Sequence, residues 1–205
     1  MGFYERVIFN RLMENAMDVP AVHAERMHTL SSASGDIVEV GIGTGLNVPH
    51  YPQSVRSLVA VGRDPSLDER AQKRAAARGM SMRYQRGDAE QLPLPNASFD
   101  SVVITFVLCS VADAEAALGE ARRVLRPGGK MIFLEHVVAP TSGRRWLQRA
   151  LDPVSRVVNC GCRIARDTVP MIRAAGFQLE LLDEHDQPAM PPLYRRLARG
   201  IAVKG

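Results

Sequence analysis

Hydrophobic residues recur at helical spacing at the start of the chain. Phe3, Tyr4, Val7, Ile8, Leu12 and Met13 alternate with Glu5, Arg6, Arg11 and Glu14, which predicts an amphipathic helix over 3–18. A second helix is expected over 21–31. The pattern then changes to short apolar runs of the kind that strands buried on both faces show. Ile37 and Val38 open the first strand, and further strands are expected over 55–61, 80–85, 99–108 and 130–138. Helices over 66–78 and 113–125 separate them, the first with Ser66 as N-cap and the second stopped by Arg126-Pro127-Gly128-Gly129. This alternation predicts an open parallel α/β sheet, with the run 99–108 at its centre. The last third reads as a helix over 144–158, a short helix over 169–175 and a strand over 177–182. After a Pro-rich turn at 188–192, the chain runs through 193–204 into a final edge strand.

The first strand opens into Glu39-Val40-Gly41-Ile42-Gly43-Thr44-Gly45-Leu46-Asn47. Three alternate glycines remove the Cβ atoms that would hold a ligand off the backbone, and they permit positive φ. A dinucleotide fingerprint starting at Gly41 would need its third glycine where Leu46 stands, and a P-loop would need a lysine that is missing. Asp64, at the tip of the next strand, is placed to accept both hydroxyls of a ribose, or else is a turn residue before Pro65. Asp88 and Ala89, after the third strand, offer an acceptor and a backbone donor for an adenine.

Composition narrows the picture modestly. A chain of 205 residues with 46% hydrophobic and 23% charged residues suits one globular domain. A net charge of +4 favours anionic neighbours weakly. No apolar run approaches the roughly 18 residues of a transmembrane helix, and the N-terminus carries no signal-peptide pattern. The odd count of three cysteines, Cys109, Cys160 and Cys162, fits a reducing cytosol. Cys160 and Cys162 are too close in sequence for the usual structural zinc pair and no second pair exists, so no metal is expected.

The glycine loop followed by Pro49-His50-Tyr51-Pro52, the Asp64-Pro65 pair, Gly87-Asp88-Ala89-Glu90 before Leu92-Pro93, and Arg123-Val124-Leu125-Arg126-Pro127-Gly128-Gly129 together resemble class I S-adenosylmethionine (SAM)-dependent methyltransferases. That resemblance covers nearly the whole chain. It implies a three-layer Rossmann-like α/β fold with a seven-stranded sheet whose last strand is antiparallel and extra N-terminal helices. One domain, 1–205, would divide into a helical lid or interfacial segment (1–34), a SAM-binding half (35–138) and an acceptor-side half (139–205). The cofactor residues it implies are Glu39, Gly41, Gly43, Gly45, Asn47, Asp64, Pro65, Asp88, Ala89 and Phe106. Leu108-Cys109-Ser110-Val111, Phe133-Leu134-Glu135-His136-Val137, Leu151-Asp152-Pro153, Gly161-Cys162 and Arg166 resemble, more narrowly, the methyltransferase-like 7 group and its bacterial relatives. That group is linked to alkyl-thiol S-methylation, and related bacterial chains to phospholipid N-methylation. The chain departs from the bacterial pattern at Arg163-Ile164-Ala165, which puts the acceptor pocket in question.

Methyl transfer from a sulfonium needs nucleophile and methyl held in line, and a protonated acceptor also needs a base. His136 is the first candidate for that base, with Glu135 to orient it and Cys109 lining the transfer site. Adjacent strand residues point to opposite faces, so one of Glu135 and His136 is expected to face the site. Cys162, Arg166 and Tyr4 are the candidates for the acceptor pocket. The expected function is methyl transfer to a small or amphiphilic acceptor, most simply a thiol. The alternatives are a phosphatidylethanolamine headgroup amine, or a non-catalytic SAM-binding regulator. Nucleic acid is not an expected partner, because aromatics are scarce. A cytoplasmic protein is expected, with helix 3–18 open to three readings: a lid over the ligand loop, a peripheral membrane contact, or a helix packed on the domain core.

Overall fold

The computed structural model describes residues 10–63, 65–159 and 161–205, with the backbone alone at 10–13 and 65–68. Residues 3–9 of the expected helix 3–18, Tyr4 included, therefore lie outside the described residues, as do Asp64 and Cys160. The described part of that helix is α1 (Asn10–Met17), and α2 (Pro20–Leu30) follows, with proline in its first turn.

Next come β1 (Gly35–Val40), β2 (Val55–Gly62), α3 (Pro65–Ala77), β3 (Met82–Arg86), β4 (Phe99–Thr105), α4 (Ala114–Val124) and β5 (Leu125–His136). The chain closes with α5 (Ser142–Val158), α6 (Thr168–Ala174), β6 (Phe177–Asp186) and β7 (Arg196–Lys204). The seven strands form one sheet in the order β3-β2-β1-β4-β5-β7-β6. β1 to β5 pair in parallel, and β7 runs antiparallel to both of its neighbours. The expected seven-stranded α/β sheet with an antiparallel last strand is what forms.

Apolar side chains fill both faces. One cluster joins Val38, Val102, Ile104, Phe133 and Leu118 on the α4 side, and another joins Leu30, Ile37, Tyr51, Leu58 and Ile132 on the other. β1 and β4 are buried almost throughout, which is why their sequences read as continuous apolar runs.

The expectation of an edge position for the last strand is overturned. β7 lies between β5 and β6, and β6 is the edge. The physical reason is visible at Gly200: a Cβ there would meet Leu181 O at 2.3 Å and the Phe133 ring at 2.8 Å. Close packing from both sides needs a glycine at that point. β4 also ends at Thr105 rather than 108, because Phe106 turns the chain with φ 57°.

The strand order reverses between β1 and β4. In open α/β sheets ligands bind at such a switch point, beyond the carboxyl ends of the strands. Those ends carry the glycine loop (after β1), the turn 106–110 (after β4) and His136 (end of β5).

Candidate active site

The glycine loop leaves β1 with the N–H groups of Gly41 and Ile42 both donating to Val61 O. Gly41, Gly43 and Gly45 all have positive φ, but they do different work. A Cβ on Gly41 would strike Val107, and one on Gly45 would strike the backbone of Ala71 in α3 at 2.7 Å. A Cβ on Gly43 would meet only Gly41 O, at 3.9 Å, so it would project into open space. Gly43 is therefore where a ligand comes against the loop, whereas Gly45 seats α3.

Two cavities, of about 430 and 480 Å³, meet at this loop and share Gly41, Arg63, Phe106 and Ser110. The second runs past Gly62, Gly87, Asp88 and Ala89. There the Asp88 carboxylate accepts from the Glu90 N–H at 3.2 Å and lies 3.7 Å from the Arg63 guanidinium. The first runs over Glu39, Gly43 and Thr44 to His136, Cys109, Cys162 and Tyr194.

Glu39 is buried beneath the loop. Its carboxylate accepts from Asn47 Nδ2 at 2.8 Å and Tyr51 OH at 2.7 Å. Burial pushes its pKa up to about 7, against the pull of those two donors and of Arg26. Arg26, carried by the inward face of α2, donates to Asn47 Oδ1 at 2.6 Å and to Thr105 Oγ1 at 3.3 Å. Burial lowers its pKa to about 10. Its guanidinium also lies 5.3 Å from the centre of the Phe106 ring. Asn47, expected to touch the cofactor, lines neither cavity and supports Glu39 from behind. Arg26, Tyr51 and Thr105 were not legible as site residues; the one signal was an arginine on the buried face of α2.

The turn 106–110 is held from two sides. The buried Glu135 carboxylate accepts from the N–H groups of Val107 (2.8 Å), Leu108 (3.0 Å) and Cys109 (3.1 Å). The Arg166 guanidinium donates to the carbonyls of Leu108, Val111 and Ala112. Neither lines the first cavity, so both act on the turn and not on an acceptor. This corrects the expected contact of Glu135 with His136 and of Arg166 with the acceptor. The alternation of β5 explains the first: His136 faces the cavity and Glu135 faces away.

His136 is buried, its ring 4.9 Å from Phe106 and 5.6 Å from Tyr194. Nδ1 lies 3.7 Å from Cys109 Sγ, and Nε2 has no hydrogen-bond partner among the described residues. The Cys109 thiol is pushed well up by its hydrogen bond to Cys162 and by burial, so it stays protonated; the same bond lowers Cys162. Tyr194 accepts from Asn159 Nδ2 at 2.5 Å and pairs with the Ser155 hydroxyl at 3.0 Å, which fixes its ring opposite His136. The donor atoms of Cys109, His136 and Cys162 lie within 4.8 Å of one another. They would suit a soft ion such as zinc, as three donors where structural zinc takes four. Of the sequence pair Cys160–Cys162, Cys162 belongs to this set and Cys160 lies outside the described residues.

Residues 38–133 match the model of a methyltransferase domain family. Human thiol S-methyltransferase TMT1A is 33% identical over 173 residues, covering 82% of this chain and 70% of that one. The chain belongs to the SAM-dependent methyltransferases. Among this enzyme's other relatives is phosphatidylethanolamine N-methyltransferase of Cereibacter sphaeroides, 26% identical over 145 residues, covering 70% of this chain and 68% of that one. A SAM-dependent methyltransferase structure from Thermotoga maritima superimposes with a TM-score of 0.72 at 23% identity, covering 98% of each chain. That likeness concerns the fold.

The methyltransferase uses SAM, and its crevice fits that molecule. The open space in front of Gly43, which a side chain would fill, lies in the first cavity, and the second, of about 480 Å³, meets it at Gly41.

Proposed function

We propose that this methyltransferase methylates the sulfur of a small or amphiphilic thiol. One observation carries the reading. The cavity walls around His136 include Cys109, Cys162, Met17, Met190, Phe106 and Tyr194, with Nε2 left unpaired. The carboxylates of the cavity, Glu14 and Glu39, are already engaged, the first by Arg70 and Arg74 and the second by Asn47 and Tyr51. Soft, weakly polar walls suit a thiol better than a charged amine, which would need carboxylates or several carbonyls to replace its water. The relative named a thiol S-methyltransferase supports the same reading.

The glycine loop at Gly41 and Gly43, with Glu39 beneath it, would hold the amino-acid end of SAM, and Asp88 and Ala89 the adenine. Asp64 and Pro65 are proposed for the ribose by their place after β2. When bound, SAM supplies a methyl group made electrophilic by its sulfonium. The chain's own part is to seat the thiol between Cys109, Cys162 and Tyr194 and to remove its proton onto His136 Nε2. With SAM bound, that pocket would hold the thiolate in line with the methyl carbon and with the sulfonium sulfur that leaves it. The products are a thioether, S-adenosylhomocysteine and an imidazolium that returns its proton to water. Phe106 and the turn that carries it wall the cavity against water.

The test is transfer of labelled methyl from SAM to a panel of alkyl thiols and dithiols, beside phosphatidylethanolamine vesicles. Label is expected in the thioether. In His136→Asn, kcat should fall by about 10²–10⁴ while the SAM dissociation constant stays within about twofold. Label recovered only in the lipid would move the acceptor to a headgroup amine and sink the thiol reading.

A further inference from the structure

The helix α5 is inside out. Its polar side chains point inward: Gln148 Oε1 accepts from the Ala139 N–H and its Nε2 donates to Leu193 O, while Ser155 donates to Cys162 O. Asp152, the helix's one acid, is turned in to accept from the Ala165 N–H. The large apolar side chains point outward. Trp146 is 70% exposed, Val154 58% and Val157 78%, and Leu147, Leu151 and Val158 are exposed beside them. At about 100° per residue these six fall within an arc of about 140°. They are six of the eight large hydrophobic residues exposed among the described residues. A helix packed on a core shows the opposite arrangement, and a contiguous exposed apolar face marks an interaction surface.

The charges around the arc select its occupant. Arg149 and Arg156, both exposed, flank it on the Trp146 side, and the helix presents no outward carboxylate to oppose them. A second copy packed antiparallel on this face, about a two-fold axis across the helix, would bring like charges to one rim. A surface that is apolar in depth and negative at its rim complements this face without that penalty. No helix of the described residues is long and apolar enough to cross a membrane, so α5 would lie in an interface rather than span it. Asn159, at the end of α5, lines the first cavity and Arg156 lines the second. The arginine flank and the C-terminal end of this helix therefore border the catalytic crevice. We infer that α5 docks this methyltransferase on an anionic phospholipid surface, with Trp146 at the depth of the headgroups and the crevice opening toward the lipid.

Trp146 is the chain's sole tryptophan, so its fluorescence reports on this face alone. The 205-residue chain would be mixed with phosphatidylglycerol/phosphatidylcholine vesicles and with pure phosphatidylcholine vesicles. Flotation with the anionic vesicles, a blue shift of the emission, several-fold protection from acrylamide and quenching by brominated lipid are expected, all weakened by salt. The double variant Val154→Asp/Val157→Asp should stay in the unbound fraction while still transferring methyl to a water-soluble thiol. Flotation that survives in the double variant would place the contact elsewhere and overturn the inference. So would a Trp146 already shielded from acrylamide without lipid, or a dimer in sedimentation that the double variant dissociates.

Discussion

Glu39 shows how much one buried group can hold. With a pKa of about 7 in the folded protein against 4.5 as the ordinary value, it binds its proton more tightly when folded. Its contribution is therefore fully present below about pH 4.5 and is lost as pH rises through about 7. Two and a half units correspond to roughly 3 kcal/mol. In Glu39→Gln that dependence disappears, so the variant's stability relative to the natural protein should climb by up to about 3 kcal/mol between about pH 5 and 8. Urea melts at a series of pH values would check it, and a flat difference would refute the assignment. Two glycines of the same loop should separate just as cleanly. Gly45→Ala, which presses on Ala71, should lower stability by about 2–3 kcal/mol. Gly43→Ala, with space around it, should melt within about 1 kcal/mol of the natural protein yet lose at least about tenfold in SAM affinity by calorimetry. Both glycines were expected at the cofactor from the resemblance of their loop to that of SAM-dependent methyltransferases. Only the packing distinguishes a glycine that admits a ligand from one that admits a helix.

The turn 106–110 depends on two side chains from distant elements. Glu135 satisfies three of its N–H groups and Arg166 three of the neighbouring carbonyls. Removing the carboxylate in Glu135→Ala leaves buried donors with no acceptor, a loss of about 3–5 kcal/mol. Because Phe106 and Val107 wall the cavities, SAM affinity should fall with it; equilibrium denaturation and calorimetry together would show both effects. The sequence made Glu135 and Arg166 look like chemistry, since a charged residue in an apolar run needs a reason. The reason here is a buried backbone that has no water to turn to. Elements themselves were legible where their pattern is strong: α4 and β4 fall within three residues of the expected ranges, whereas β5 begins at Leu125 and takes in the stretch 126–129 that was read as a stop. β7 was misplaced because an interior strand flanked by two antiparallel partners and an edge strand carry similar local patterns.

Across the molecule, α2 is tied to the far end of the chain. Glu25 accepts from His185 at 3.0 Å, Gln187 at 2.8 Å and Arg199 at 2.6 Å, so the β6–β7 end clamps the helix that delivers Arg26 to the site. Glu25 is buried and Arg199 keeps Asp183 as a second partner, so Glu25→Ala should cost about 2–4 kcal/mol. The exposed pair Lys130–Glu180 offers the contrast: breaking it should cost no more than about 0.5 kcal/mol, since solvent screens both charges. Denaturant midpoints for the two variants would decide whether burial sets the difference. The face of α5 belongs to the same level of description, because what it must meet lies outside the chain.

By itself the sequence determined the alternation of strand and helix, the glycine loop after the first strand and the resemblance to SAM-dependent methyltransferases. Those features are local: a period of apolar positions and a spacing of glycines are written within a few consecutive residues. The tertiary structure decided which groups meet. Cys109, His136 and Cys162 come from three separate elements, Arg26 is brought by α2 to Asn47, the partner of Glu39, and the polar side of α5 turns inward because Ala139, Leu193 and Cys162 offer partners there. Contacts between residues far apart in the chain depend on the packing of whole elements, and no short stretch of sequence carries that information.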